Sequence, residues 1–163
     1  MNNLRIIRQV LVLLALQVLV LNHVHLFGYA TPMMAAAVML YFPRFTPRTT
    51  LLLVAFPFGL CVDMFTGTPG VCAGSLTLLA MLRPLLLRLE VPSDEENDII
   101  PTYRTMGRWP HIRLCILLML VHLAAYHALD AFSLNHASQV SIIFLASLAL
   151  STALLLLLDT LRK

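Results

Sequence analysis

Few residues in this chain have types and spacing that suit chemistry, and they are far apart. Asp63 closes an apolar run, in Gly59-Leu60-Cys61-Val62-Asp63-Met64-Phe65, and a Gly67-Thr68-Pro69-Gly70 turn follows. A carboxylate at such a boundary can bind a cation, cap the next helix or mark a contact site, because an ionised group in hydrocarbon is costly and needs a partner. Arg83 poses the same problem with opposite sign, since it precedes Pro84 inside another apolar run. Its guanidinium must snorkel to the nearby end of that run or find an acceptor, and the short distance favours snorkelling. Six histidines invite a metal site, with His23, His25, His127 and His136 gathered toward the outer side of the topology derived below. Spacing argues against it: His122 and His127 are five residues apart, about 140° around a helix, whereas ligands three or four apart would align. Cys61, Cys72 and Cys115 form no metal spacing and no even disulfide set, so they read as small buried hydrophobes. Cys61 and Cys72 could pair only by meeting in one external turn. No nucleophile with a base in reach, no His-Glu-x-x-His and no Gly-rich phosphate loop can be written from these residues. The expectation is no enzyme, no cofactor and no metal.

The elements that would carry these residues belong in lipid. The chain is 60% hydrophobic and 12% charged, with a mean hydropathy of +0.86, far from the roughly 25% charged residues of soluble domains. Its apolar residues fall in long blocks, not in the short alternation of a membrane barrel. The fold class expected is an all-α integral membrane protein, one domain over residues 1–163, built as a bundle of about six transmembrane helices. The spans read as 4–24, 29–42, 49–64, 71–89, 111–129 and 139–158, with an aqueous loop over 90–110 that holds Asp94, Glu95, Glu96, Asp98, Arg104 and Arg108. The first block is longer than the 7–15 residues of a usual signal core, although Gly28, Tyr29 and Ala30 offer a small-x-small cleavage site. The second block opens with Pro32 and is marginal, with a length that also suits a re-entrant segment. In the third, Pro57 and Gly59 should kink the helix.

Charge decides the second block. With the N-terminus in the cytoplasm and six crossings, all eleven basic residues fall inside or at the inner end of a span. The external loops near 22–28, 63–70 and 130–138 contain no Lys or Arg, as the positive-inside rule asks of short loops. A re-entrant second block would strand Arg44 and Arg48 outside. Both termini are therefore expected in the cytoplasm. The basic residues sit singly or in pairs without interleaved aromatics, so nucleic acid is not an expected partner.

Small residues mark candidate helix contacts. Gly70 and Gly74 have Gly-xxx-Gly spacing, with Ala73 and Ser75 keeping the same surface low. Ser147 and Ser151, with Ala149 and Ala153, give the last span a similar surface, and Ser141 and Thr152 could hydrogen-bond across helices. Ala35, Ala36 and Ala37 make the second block narrow, either as a groove for a partner helix or for tight internal packing.

Six short spans, the first helix VLVLLALQVLVLNHVH from Val10 to His25, LFGYATP from Leu26 to Pro32, the turn GLCVDMFTGTPG from Gly59 to Gly70 and the Arg83–Pro84 pair together resemble MreD. This is the rod shape-determining membrane protein family, in what is similar to its Bacteroidetes branch. The resemblance covers nearly the whole chain, and Asp63, Pro69, Gly70, Arg83 and Pro84 carry its most specific part. It implies a non-enzymatic scaffold of the bacterial inner membrane that binds MreC and acts in cell elongation with MreB, RodA and a class B penicillin-binding protein. It also implies a fold similar to the substrate-binding subunits of energy-coupling-factor transporters. That similarity keeps open an alternative, a transporter-like subunit binding a small molecule or lipid, in which Asp63, His23, His127 and Asp130 would line an external pocket.

Overall fold

A computed structural model of the chain describes residues 2–19, 33–90, 100–131 and 147–157. Among these residues it is all-helical, with no strand. Helix α1 spans Asn2–Leu19 and is followed among the described residues by a 3-10 helix at Ala35–Tyr41. Then come α2 (Arg48–Thr66), α3 (Val71–Glu90), the single turn α4 (Tyr103–Met106), α5 (Arg108–Ala131) and α6 (Ser147–Leu157). Segments Arg48–Thr66, Val71–Glu90 and Arg108–Asp130 are long and apolar enough to cross a membrane, since at ~1.5 Å per residue each matches a hydrocarbon core of about 30 Å.

Local chemistry explains the boundaries. Pro47, in an extended conformation, precedes α2, and Gly67 ends it in the left-handed region at φ 73°, where its N–H reaches the Asp63 carbonyl at 3.0 Å. A residue without Cβ takes that conformation at no steric cost. Helix α5 starts at Arg108 rather than His111, because Pro110 sits in the first turn, where its missing N–H breaks no helical bond. Pro57 and Pro84 lie within α2 and α3 without ending either helix.

The second block differs from the expected span. Its described part is a 3-10 helix of seven residues, which at ~2.0 Å per residue extends only about 14 Å. Residues 29–32 of the expected span lie outside the described residues. Every residue from Met33 to Leu40 is buried, and the 3-10 helix touches α1, α2, α3 and α5. It is the centre of the bundle. Ala35, Ala36 and Ala37 are buried there, so their small size serves internal packing and offers no surface groove.

Around this centre, α3 packs between α2 and α5. Leu51, Ala55, Phe58 and Val62 form the inner face of α2, while Leu53, Phe56, Leu60 and Met64 point outward. Leu53 is 75% exposed and Met64 83%. In α3 the outward side chains are Leu78, Met81, Leu85 and Leu89, and in α5 they include Ile116 and Leu120. Continuous apolar exposure on this scale is costly in water and costs nothing against acyl chains.

Candidate functional site

The polar side chains take the opposite position: Gln17, Asp63, Ser75, Arg83, His111, His122, Ser147 and Ser151 are all buried. Buried polar groups need partners, and those partners reveal what the residues do.

Asp63 occupies the last turn of α2, beside the first turn of α3. Its Oδ1 accepts hydrogen bonds from the Cys72 N–H at 2.9 Å and the Thr68 hydroxyl at 3.2 Å. Its Oδ2 accepts from the Ala73 N–H at 2.9 Å and the Gly70 N–H at 3.1 Å. A helix start leaves four N–H groups without intrahelical partners. Asp63 takes those of Cys72 and Ala73, and it sets negative charge against the positive end of the α3 dipole. A carboxylate offers about four lone-pair sites, and four donors occupy them here. Of the roles open to Asp63 in the sequence, capping of the next helix is the one the geometry shows.

This cap depends on close approach of two backbones. A Cβ built on Gly59 would lie 2.7 Å from the Ala73 nitrogen and 3.0 Å from the Cys72 carbonyl carbon. Only glycine fits there. Gly59, expected as part of a kink, thus sets the α2–α3 spacing one helical turn below Asp63. The Gly70 and Gly74 pair does not form one packing face. Gly70 lies in the turn at φ 85° with nothing near its Cβ position, whereas Gly74 faces the Leu129 side chain of α5 at 3.0 Å. Pro69 is exposed in the same turn.

Arg83 does not snorkel; it is 1% exposed. Its Nε donates to the Met39 carbonyl at 2.8 Å, Nη2 to that of Phe42 at 2.5 Å, and both terminal nitrogens to that of Pro43 at 3.3 Å. These carbonyls lie at the C-terminal end of the 3-10 helix, where a cation also answers the negative end of the helix dipole. The planar, multi-donor guanidinium can serve several carbonyls at once, which an ammonium does less well. Pro84, half-buried, follows it inside α3.

The other end of the 3-10 segment is held by residues distant in sequence. The Met34 N–H donates to Gln17 Oε1 of α1 at 2.8 Å, and the Met33 N–H to Ser151 Oγ of α6 at 3.0 Å. Neither contact was anticipated. Gln17 was visible as a lone polar residue in an apolar helix, and that was the only signal. Thr152, expected to bond across helices, instead bonds back to the Leu148 carbonyl at 2.6 Å.

A third group of polar residues follows the inner face of α5. His111 Nε2 lies 3.5 Å from Cys115 Sγ, and the rings of His122 and Tyr126 are 6.4 Å apart. Tyr126 also meets His127 edge to face at 5.8 Å, and its hydroxyl lies 3.5 Å from that of Thr68. The buried ring nitrogens of His122 and the hydroxyl of Ser147 have no hydrogen-bond partner among the described residues. No group of three metal-ligating side chains occurs among the described residues. His23, His25 and His136 lie outside them. Cys61 and Cys72 are not disulfide-bonded, and Cys115 is buried beside His111.

No family model matches this sequence, and neither characterised proteins nor solved structures give a significant match.

Proposed function

We propose that this chain is a multi-pass, non-enzymatic scaffold of the bacterial inner membrane that binds MreC and helps to position lateral peptidoglycan synthesis during cell elongation. One observation carries the proposal. The two ionisable side chains that the sequence singles out, Asp63 and Arg83, are both engaged by the protein's own backbone. Neither is presented to a substrate. What the long helices present outward is apolar, a surface suited to lipid and to other membrane helices. The MreD resemblance supplies the identity of those partners, with MreB, RodA and a class B penicillin-binding protein in the same assembly.

Six crossings with both termini cytoplasmic belong to this reading. The 3-10 helix and its flanks would form part of the second crossing. Backbone that is not α-helical is tolerated at membrane depth only when protein surrounds it and its polar groups are satisfied. Gln17, Ser151 and Arg83 meet that condition here. A transporter-like subunit would need Asp63 as a pocket group, and its four accepted bonds weigh against that.

Depletion in a rod-shaped host tests the proposal, with round or swollen cells expected. Photocrosslinkers belong at the exposed positions Leu53, Leu60, Leu78 and Leu85, where capture of MreC is expected, since Ala36 and Ser147 are buried. Unchanged rods under full depletion, in a host with no second copy, would refute the scaffold.

A further inference from the structure

The outward face of α5 changes character at its N-terminal end. Trp109, Arg113, Ile116 and Leu120 are all exposed, and their spacing of four, three and four residues places them in one stripe along the helix. Trp109 is 75% exposed. Arg108 lies about 7.5 Å from Arg113 along the axis and about 140° around the helix, whereas Arg113 lies on the same stripe as Ile116 and Leu120. A guanidinium there is next to hydrocarbon and has to reach back toward polar surroundings for a counter-charge. The side chains of Arg108 and Arg113 form no hydrogen bond or ion pair among the described residues, from which the acidic residues Asp94, Glu95, Glu96 and Asp98 are absent. The neighbouring Arg104, also exposed, donates to the neutral Tyr103 hydroxyl at 3.0 Å.

We propose that this end of α5 is a contact site for an anionic phospholipid, its headgroup phosphate taken by Arg113, Trp109 at headgroup level, and its acyl chains along Ile116 and Leu120, while Arg108, about 140° away around the helix, adds positive potential at the headgroup surface and is not a second ligand. The combination selects the occupant. An acidic peptide would satisfy the arginines but not the apolar continuation of the stripe, whereas a phospholipid carries phosphate and acyl chain in one molecule. Tryptophan favours the depth at which the two meet. Zwitterionic lipids offer the same chains, so net negative charge is the distinguishing property. The inference rests on α5 being a membrane span.

Trp109 is the only tryptophan in the chain, so its fluorescence reports this site without labelling. The full chain is reconstituted in phosphatidylcholine vesicles containing a small fraction of either phosphatidylglycerol or phosphatidylcholine, brominated on the acyl carbons near the headgroup. Brominated phosphatidylglycerol should quench Trp109 at lower mole fraction, with a preference of about fivefold per arginine, equivalent to about 1 kcal/mol each. Replacing Arg108→Gln and Arg113→Gln together should merge the two curves while leaving quenching by the zwitterionic lipid intact. Equal quenching of the unaltered chain, or a preference that survives the double replacement, overturns the lipid site and leaves the membrane span standing. Absence of quenching by either lipid overturns the span itself. A third variant, with Asp94→Asn, Glu95→Gln, Glu96→Gln and Asp98→Asn, checks the chain's own acidic segment as occupant. A preference that appears only in that variant overturns the proposal in favour of that segment.

Discussion

Replacing Asp63 tests whether it holds the start of α3. In Asp63→Ala the N–H groups of Cys72 and Ala73 lose their acceptor at 2.9 Å while remaining buried. A buried donor left without a partner costs about 1–3 kcal/mol, so these two together should destabilise the protein by about 2–6 kcal/mol. Gly70 and Thr68, nearer the surface of the turn, add less. For a chain of this length each kcal/mol lowers the melting temperature by about 2–4 °C, which puts the central expectation at about 8–16 °C. Asp63→Asn separates charge from shape. An amide keeps one accepting oxygen and turns an NH2 group toward two of the donors, so it should lose a large part of the same stability despite its matched size. The assay is thermal unfolding in detergent, followed by circular dichroism, with and without divalent cations. A melting temperature within about 2 °C of the unaltered protein for Asp63→Ala would refute the capping argument, because a shift that small amounts to no more than about 1 kcal/mol. Cation-dependent stabilisation of the unaltered protein, absent from the variant, would reassign Asp63 to ion binding.

Gly59→Ala should force α2 and α3 apart, because the new Cβ would meet the Ala73 backbone; a loss of about 1–3 kcal/mol is expected. Since the same separation withdraws Asp63 from its donors, the two replacements should be non-additive in a double-mutant cycle, and additive losses would show that the contacts are independent. Arg83→Met leaves the Met39, Phe42 and Pro43 carbonyls without their donor and should cost about 2–4 kcal/mol. Arg83→Lys should cost less, and a methionine variant as stable as the original would remove the role assigned to the guanidinium. Gln17→Leu should cost about 1–3 kcal/mol by orphaning the Met34 N–H, visible as faster hydrogen exchange at that amide; unchanged exchange would show that the bond does not hold the segment.

The sequence made the helices legible because hydropathy and proline signal local events. The α2–α3 hairpin, with its Gly67-Thr68-Pro69-Gly70 turn, appears nearly where the apolar blocks end. Asp63 was legible as a group needing a partner, and helix capping was among its written roles, because donor and acceptor lie within ten residues of each other. The partners of Arg83 lie 40 to 44 residues away, and Ser151 reaches Met33 across 118. No periodicity encodes such pairings. The 3-10 form of Ala35 to Tyr41 was not legible for the same reason: the segment is apolar enough to read as a span, and its ends are held by side chains distant in sequence. Gly59 shows a subtler failure. Its neighbour Pro57 suggested a bend, but its missing Cβ matters for a contact with another helix.

These contacts share one physical logic. A helix in water can leave its terminal N–H and C=O groups to the solvent, whereas one buried in a membrane bundle must satisfy them from within. The chain has three such problems among its described residues: the start of α3, and the two ends of the central 3-10 segment. Each is met by one or two polar side chains in otherwise apolar surroundings, a carboxylate and a guanidinium at the helix ends whose dipoles favour them, and the neutral Gln17 and Ser151 at the remaining site. This explains why Asp63 and Arg83 stand alone in apolar runs and yet form no pair with each other: each answers a different exposed end of backbone. It also separates them from the arginines of α5. Arg108 and Arg113 are exposed and hold no backbone among the described residues, so function is better sought there than at the two buried ions.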